Sequence, residues 1–399
     1  MMDNASAPVA DWIVPAEMIQ DPYPTYRRLR EEAPVAWVPA LNRFLVTRFG
    51  DCLAIERDQG TFSANEESST SNMIRTMKGR SMLRKDDPAH SIDREAIRPA
   101  LSPAAITASW EQIFERNAEK HLDAFIKKGE SGDVAADFAS PFASDNLIAV
   151  TGLHGAAQED MQRWSRALIA GIGNVQSDED VWAQASRTSD ELDSTIDDAG
   201  AFLKMNPDSS MLSAFVNAET PLPDEAIRAN IKLAVSGGFN EPSHAISSAL
   251  WAMLTHPDQL RAVRDQRASM LDVFTETVRW ISPVGMYPRT TTREVELGGV
   301  VLPAGARIGV VVASANHDER NFENGGTFDV FRAKRPNLAF GSGTHYCAGS
   351  WVAKAQVASV ALPAVLRRLP GLRLAPDSTS GFEGWVFRGT KTLRVQWGR

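Results

Sequence analysis

Cysteine is scarce, because this chain of 399 residues contains only two, Cys52 and Cys347. Two cysteines cannot build a disulfide framework, and such a composition suits a reducing compartment. No uncharged apolar run approaches the roughly 20 residues that span a bilayer. The segment Met1–Gln20 has neither the basic nor the apolar region of a signal peptide. We therefore expect a cytoplasmic protein that does not insert into a membrane.

Positive charge is also in deficit, because 42 Lys and Arg face 50 Asp and Glu and give a net charge of −8. This balance argues against a general nucleic-acid binder, which carries an excess of basic residues. Hydrophobic residues make up 43% and charged residues 23%, which excludes collagen-like, coiled-coil and largely disordered chains. A chain of this length can enclose a ligand and still keep a core.

Residue patterns predict a helix-rich chain with minor sheets near 35–49, 295–312 and 384–397. No regular alternation of strands and helices appears, so a doubly wound parallel sheet is not expected. The predicted elements are a helix over Tyr23–Glu32, a hairpin of Val35–Val38 with Arg43–Phe49, a long loop over Thr61–Arg80, mostly helix from Pro88 to Asp272, strands at Val295–Val301 and Ala306–Val312, a helix over Ala348–Arg368 and a terminal hairpin over Gly384–Trp397.

The segment Phe340–Gly349, here named the cysteine loop, is the sharpest feature of the sequence. Its glycines, Gly341 among them, let the backbone approach a flat ligand closely. A helical pattern follows Cys347, and the N–H groups at its start would favour a thiolate over a thiol. A thiolate held on a rigid loop can serve as a soft axial ligand to a metal. The alternatives are a buried structural cysteine or a nucleophile with His345 as its base.

The cysteine loop resembles the haem-binding signature of the cytochrome P450 family, Phe-Gly-x-Gly-x-His-x-Cys-x-Gly, at every defined position. The resemblance implies haem b with Cys347 as the proximal iron ligand. It further implies that Phe340 packs beside the sulfur and that His345 lies at a haem propionate. The resemblance extends over nearly the whole chain and implies one α-rich, prism-shaped domain over 1–399, of the soluble bacterial type.

Glu276 and Arg279 are three residues apart and would share one face of a helix. On its own such a spacing is typical of an exposed ion pair. It also resembles the Glu-x-x-Arg motif of the family, and Arg332 matches the third member of that motif's charge network. The resemblance implies that these three residues are buried and lock the fold behind the cysteine loop.

His90 and Arg94 are four residues apart, and two cationic groups on one helical face repel unless an anion lies between them. A haem propionate would be such an anion, held by charge-assisted hydrogen bonds. The alternative is a solvated basic face. Arg289 matches a further propionate-binding arginine of the family.

The predicted helix over Asp224–Leu254 contains Gly237, Gly238 and Pro242, so we expect it to kink or bulge there. In the family this helix binds oxygen, with an acid followed by an alcohol after the small residues. Here Asn240 takes the acid position and Glu241 the alcohol position. Glu241 would serve as the proton donor if burial raises its pKa; a purely structural kink is the alternative.

The Gly-Gly-x-Asn-Glu-Pro variant resembles a branch that includes bacterial aromatic O-demethylases and thiocarbamate-inducible members. Removal of a methyl group from a small methoxylated aromatic is therefore the leading expected activity. Hydroxylation of another small hydrophobe, peroxide-driven oxidation with Glu241 activating the peroxide, and a haem sensor without turnover are the alternatives. The substrate contacts expected by position are Met73, Met77, Leu83, Leu233, Ser236, Gly237, Val284, Gly285, Val386 and Phe387.

Electrons for such a reaction are expected from a separate donor. Two cysteines cannot build a four-cysteine iron–sulfur cluster, and the sequence shows no flavin module. A ferredoxin or a flavin/iron–sulfur reductase, together with dioxygen and an apolar substrate, completes the expected set of partners. No nucleic acid and no membrane belong to that set.

Overall fold

The computed structural model describes residues 7–65, 71–174, 177–378 and 381–398. Its α-helices are α1 (Pro15–Met18), α2 (Tyr23–Glu32), α3 (Phe49–Arg57), α4 (Asn72–Met77), α5 (Ala89–Leu101), α6 (Pro103–Ala105), α7 (Glu111–Ile126), α8 (Ser140–Thr151), α9 (Gln158–Ile172), α10 (Glu179–Met205), α11 (Met211–Val216), α12 (Asp224–Gly237), α13 (Asn240–Thr255), α14 (Pro257–Arg264), α15 (Met270–Ile281), α16 (Val312–Ala315), α17 (Ser350–Lys354) and α18 (Leu362–Arg368). Short 3-10 helices lie at Pro39–Leu41, Met82–Arg84 and Gly343–His345, and π-helical segments lie at Ile106–Trp110, Ala135–Ala139 and Ala355–Ala361.

The strands are short. They are β1 (Val35–Val38), β2 (Arg43–Val46), β3 (Phe62–Ser63), β4 (Ser131–Asp133), β5 (Tyr287–Thr291), β6 (Val295–Leu297), β7 (Val300–Leu302), β8 (Arg307–Val310), β9 (Arg373–Leu374), β10 (Phe382–Glu383), β11 (Gly389–Thr390) and β12 (Arg394–Gln396). The chain is thus helix-rich with small sheets, as the sequence predicts. In the described ranges, no helix is both long and apolar enough to span a membrane.

The chain forms two compact units, and the first comprises residues 1–65, 247–347 and 376–394. Its main sheet has the strand order β1-β2-β8-β5-β3. β2 and β8 run parallel, and the other neighbours are antiparallel. Apolar side chains from this sheet form the core of the unit, with Phe44, Ile308 and Val310 fully or almost fully buried. Because β5 carries Arg289, this sheet fixes the backbone of one predicted propionate ligand.

The second unit comprises residues 66–246, 348–375 and 395–399 and consists mainly of helices. Its longest helix, α10, packs against α9 and α12. A three-stranded sheet of β4, β12 and β9 completes the unit. Both α5, which carries His90 and Arg94, and α12, which precedes Glu241, lie in this unit.

Several predicted elements are confirmed. Helix α2 spans Tyr23–Glu32, and the Asp21 carboxylate accepts the N–H of Tyr23 at 3.1 Å. β1 and β2 pair antiparallel, with Val35 opposite Val46. The helix predicted over Ala348–Arg368 is confirmed with a later start, because the chain is helical from Ser350 to Arg368 through α17, a π-helical segment and α18.

Other predicted bounds are wrong, for local reasons. The strand that starts at Arg43 ends at Val46, because the Asp318 carboxylate accepts the N–H of Phe49 and starts helix α3 there. The predicted single strand Val295–Val301 is instead the β6–β7 hairpin. Gly298 and Gly299 both have positive φ, which a tight two-residue turn requires.

The predicted loop over Thr61–Arg80 contains the strand β3 and the helix α4. Ser71 caps α4 by accepting the N–H of Ile74 at 3.4 Å, while residues 66–70 lie outside the described residues. The predicted strand Ala306–Val312 ends at Val310, and Val312 begins α16. The predicted hairpin over Gly384–Trp397 is also wrong, because β11 pairs with β10 and β12 pairs with β9.

The predicted break in the long helix is confirmed. Helix α12 ends at Gly237 and α13 begins at Asn240. Gly238 closes α12 with an N–H bond of 2.7 Å to Ala234 O, and a Cβ atom there would lie 2.6 Å from Leu147 Cδ1. Pro242 is the third residue of α13, where a backbone N–H needs no partner within the helix. The proline therefore restarts a helix rather than distorting one.

Candidate active site

Residues 340–347 of the cysteine loop form a closed turn in the first unit. The N–H of Cys347 donates to Phe340 O at 2.8 Å, and the N–H of Tyr346 donates to Gly343 O at 3.1 Å. Gly341 and Gly343 have φ values of +69° and +61°, which glycine adopts at little cost. A side chain at Gly343 would collide with the backbone carbonyl of Glu56 on α3. The shape of the turn and its packing against α3 therefore explain why positions 341 and 343 are glycines.

The two cysteines occupy opposite environments. Cys347 is exposed, whereas Cys52 is buried in α3 and donates to Val46 O at 3.3 Å. Burial raises the pKa of the Cys52 thiol well above its usual value, with the Asp51 carboxylate adding to the effect. Cys347 is therefore the cysteine that can present its sulfur to a ligand, and Cys52 is a core residue.

The Glu276–Arg279 pair is buried, so the sequence alternative of an exposed ion pair is wrong. Arg279 donates through Nε and Nη2 to the two Glu276 oxygens, both at 2.7 Å, and Arg332 Nε donates to Glu276 Oε1 at 3.0 Å. Arg279 Nη1 also donates to Asn316 O at 2.7 Å. The side chain of Asn316 in turn accepts the N–H of Leu338 at 2.8 Å, two residues before the cysteine loop. The charge network thus connects helix α15 to the loop.

Arg289, a predicted propionate ligand, is buried and already has an acidic partner. Its Nη2 atom donates to Glu56 Oε1 at 3.0 Å, and its Nη1 atom donates to Pro288 O at 2.9 Å. Glu56 was not predicted from the sequence. The signal for it was a carboxylate on the buried face of α3, one residue after Ile55 and four after Cys52. His345 lies half-buried in the 3-10 turn that packs on α3.

His90 and Arg94 share one face of α5, where His90 is buried and Arg94 half-buried. Burial lowers the pKa of His90, and Asp87, whose carboxylate lies 3.6 Å from His90 Nδ1, opposes that effect. Asp93 lies between His90 and Arg94 in the sequence and is buried. Its carboxylate accepts hydrogen bonds from Lys85 Nζ at 2.6 Å and Asn230 Nδ2 at 2.8 Å. This buried carboxylate, which was not predicted from the sequence, connects α5 to α12.

Asn240 and Glu241 begin α13 and have different environments. Asn240 Nδ2 donates to Ser165 Oγ at 2.9 Å, which ties it to α9. Glu241 is half-buried, and its Oε2 atom is inaccessible and lacks a hydrogen-bond partner within the described parts of the chain. Burial raises the pKa of Glu241 to about 8, although its own backbone N–H opposes the shift. At neutral pH the protonated form of Glu241 therefore predominates.

The predicted substrate contacts form one group in each unit. In the first unit Gly285 N donates to Val386 O at 2.8 Å, and Val284 pairs with Phe387 in an isolated bridge. In the second unit α4 packs against α12. These two helices and a 3-10 turn carry the other members, which are Met73, Met77, Leu83, Leu233, Ser236 and Gly237.

The exposed sulfur of Cys347 fits what a haem requires from a protein. No cluster of three or more His, Cys, Asp or Glu side chains suited to a metal ion occurs among the residues described. Iron in a porphyrin already has four nitrogen ligands and needs from the protein only one strong axial ligand. Cys347 is exposed on a glycine-shaped turn and has the donor atom that such a ligand requires.

Comparisons with known proteins point to one family. A family model described as cytochrome P450 matches residues 174–370. The putative cytochrome P450 123 of Mycobacterium tuberculosis is 31% identical over 386 residues, which cover 94% of each chain. A steroid C26-monooxygenase of Rhodococcus jostii is 28% identical over 398 residues, covering 94% of this chain and 82% of the relative.

Solved structures match along almost the whole chain. P450BioI, bound to an acyl carrier protein that carries hexadec-9Z-enoic acid, superposes with a TM-score of 0.87 at 24% identity. That match covers 96% of this chain and 100% of the other. CYP109E1 of Bacillus megaterium, in complex with testosterone, gives a TM-score of 0.85 at 22% identity, over 97% and 100% of the two chains. These matches confirm the predicted fold class.

Proposed function

Because this chain belongs to the cytochrome P450 family and is a monooxygenase that uses haem b with a cysteine thiolate ligand, we propose that it O-demethylates a small methoxylated aromatic compound. The observation that carries the proposal is Glu241, a half-buried carboxylic acid at the start of α13 with a raised pKa. It stands where most members of the family have an alcohol, in the sequence variant that resembles the demethylase branch. The reaction oxidises the methyl group, and the resulting hemiacetal releases formaldehyde and leaves a phenol.

The residues proposed to hold the cofactor divide by chemistry. Cys347 supplies the thiolate ligand to iron, while Phe340 and Gly341 shape the backbone beside the sulfur. When bound, the haem supplies the activation of dioxygen, with two electrons from a separate donor such as a ferredoxin or a flavin/iron–sulfur reductase. The cationic or hydrogen-bonding side chains proposed for the propionates are His90, Arg94, Arg289 and His345.

The proposed role of Glu241 is to hold a proton on its carboxyl group and to deliver it during oxygen activation. An acid of raised pKa is suited to this role, because most of it is protonated at neutral pH and can still ionise. Asn240, tied to Ser165, would fix the first turn of α13 and hence the position of Glu241.

Replacing Glu241 by glutamine should lower the fraction of consumed dioxygen that appears as product, because an amide cannot donate that proton. Loss of a general acid typically costs about a hundredfold or more in rate. The pKa of about 8 gives the sign of the pH dependence. Below it the acid form predominates, so wild-type coupling should fall as the pH rises through this value, and the coupling of Glu241→Gln should stay low and flat. Dioxygen uptake and product measured from pH 6 to 9 test this.

Glu225→Gln is the matched control, since Glu225 is an exposed acid at the start of the neighbouring helix α12. It should leave coupling and its pH profile unchanged. Unaltered coupling in Glu241→Gln would remove the proposed proton-delivery role.

The substrate class rests on the apolar character of the proposed contacts, which are mainly Met, Leu, Val and Phe. A second candidate is hydroxylation of another hydrophobic substrate. The steroid C26-monooxygenase and the testosterone complex among the similar proteins favour it. Demethylation needs a methoxy group near the iron, whereas hydroxylation needs only an accessible C–H bond, so the products separate the two candidates.

A ligand-shift screen of methoxybenzoates, guaiacols, fatty acids and steroids, followed by formaldehyde detection, tests the proposal. We expect a methoxyaromatic to shift the haem spectrum and to release formaldehyde and phenol in equal amounts. Binding and oxidation of a steroid or fatty acid without formaldehyde would favour the hydroxylase. Turnover with peroxide alone would favour the peroxide-driven oxidase, and binding without any turnover would favour the sensor.

A further inference from the structure

Glu56 is a buried carboxylate whose two oxygens have different partners. Oε1 accepts from Arg289 Nη2 at 3.0 Å, and Oε2 accepts the N–H of Ser342 in a longer bond of 3.4 Å. Both carboxylate and guanidinium are almost fully shielded, with side-chain exposures of 1% for Glu56 and 4% for Arg289. One side chain of α3 thus bonds both the strand β5 and the cysteine loop.

The cysteine loop also lies directly against the backbone of Glu56. A Cβ atom at Gly341 would be 3.2 Å from Glu56 Oε2, and one at Gly343 would overlap with Glu56 O. Tyr287 packs beside them, and the pKa of its phenol is raised by burial and by the Glu56 carboxylate. The position of the loop, and hence of Cys347, is therefore defined by a surface centred on Glu56.

The negative charge of Glu56 is also expected to affect the reduction potential of the haem iron. A buried ion pair is compensated only while both partners are present. Loss of the Glu56 carboxylate therefore adds one unit of net positive charge beside the loop, even when Arg289 also holds a propionate. Positive charge near a haem stabilises the reduced iron and raises its reduction potential, and this effect is strong where the dielectric is low.

We propose that Glu56 is a positioning residue, which holds the cysteine loop against α3 through Ser342 and cancels the charge of Arg289. This inference rests on the proposed haem-thiolate site. In this site Glu56 acts through the loop and through Arg289. Its two roles make separate demands on the side chain, because cancelling charge needs a carboxylate and holding the loop needs its full length.

Two variants of the holoprotein separate these roles. Glu56→Gln keeps an acceptor oxygen at the same reach but removes the charge. We expect it to raise the ratio of ferrous to ferric haem at fixed potential about tenfold, a shift of ~59 mV for one electron. Glu56→Asp keeps the charge but is one methylene shorter. We expect it to leave the potential near the wild-type value and to weaken haem binding roughly tenfold, as loss of an outer-shell partner does.

Redox titration and haem transfer to apomyoglobin measure the two quantities. Glu319→Gln is the control, because it removes the same charge from another glutamate that pairs with a buried arginine. Glu319 is half exposed and accepts from Arg30 at 2.8 and 3.2 Å. This variant should change neither quantity.

Each outcome decides one role. An unchanged potential in Glu56→Gln overturns the charge role, and unchanged haem binding in Glu56→Asp overturns the loop-holding role. Equal effects in Glu319→Gln overturn both. If Glu56→Gln does not fold, the potential of Glu56→Asp decides the charge role. A change of tenfold or more in its ratio of ferrous to ferric haem at fixed potential contradicts that role. A wild-type protein that binds no haem contradicts the proposed function itself, which is a different result.

Discussion

Replacing Cys347 by serine should abolish the thiolate-type spectrum of the reduced carbon monoxide complex and, with it, monooxygenase turnover. A hydroxyl is a harder and far less ionised ligand than a thiol, so it cannot replace the soft thiolate on iron. The loss should exceed the ~10- to 100-fold effects that follow removal of an outer-shell partner. Spectra of the reduced carbon monoxide complex, haem content and product formation measure it.

Cys52→Ser provides the matched control, because it makes the same chemical change at the buried cysteine of α3. It should keep the thiolate spectrum, even if it costs some stability. The thiolate spectrum persisting in Cys347→Ser, or vanishing in Cys52→Ser instead, would show that the ligand has been assigned to the wrong residue.

The second large effect is expected on stability, from Glu276→Gln. The change leaves the guanidinium groups of Arg279 and Arg332 without their shared carboxylate in a buried site. Breaking a buried ion pair by removal of one partner typically costs about 3–5 kcal/mol, so the free energy of unfolding should fall by roughly 3 kcal/mol. Denaturant unfolding followed by circular dichroism measures the difference.

An exposed pair with similar helical spacing supplies the control. Glu32 pairs with Arg28 at 2.9 Å across one turn of α2, with both side chains about half exposed. Such pairs contribute about 0.3–0.5 kcal/mol, so Glu32→Gln should have little effect. Equal losses in the two variants would contradict the structural role given to the buried network.

Features that depend on neighbouring residues in the sequence were predictable. The turn that contains Cys347 follows from its glycines, and the Glu276–Arg279 pair follows from helical spacing. Spacing could not say that the pair is buried; that expectation came from the family resemblance. The break before Asn240 was predicted from Gly238 and Pro242, but its form, two helices rather than one kinked helix, depends on where the proline falls in the new helix.

Features that depend on distant residues were not predictable in this way. Glu56 and Arg289 are 233 positions apart, and no local pattern links a carboxylate on α3 to an arginine on β5. The start of α3 was missed for the same reason, since it depends on the carboxylate of Asp318, 269 positions away. The β6–β7 turn is a different case. Its signal, Gly298-Gly299, is local, but it lies within a run of strand-forming residues that was predicted as one continuous strand.

Asn316 has a consequence for how the protein loses its structure. Its backbone carbonyl accepts from Arg279, its amide nitrogen donates to Ser282 at 2.9 Å, and its amide oxygen accepts from Leu338. One small side chain thus joins the end of helix α15 to the entry of the cysteine loop. Local opening of either segment would break bonds of the other, so the two belong to one cooperative unit. On heating, the iron ligand and its supporting helix should therefore be lost together rather than in sequence.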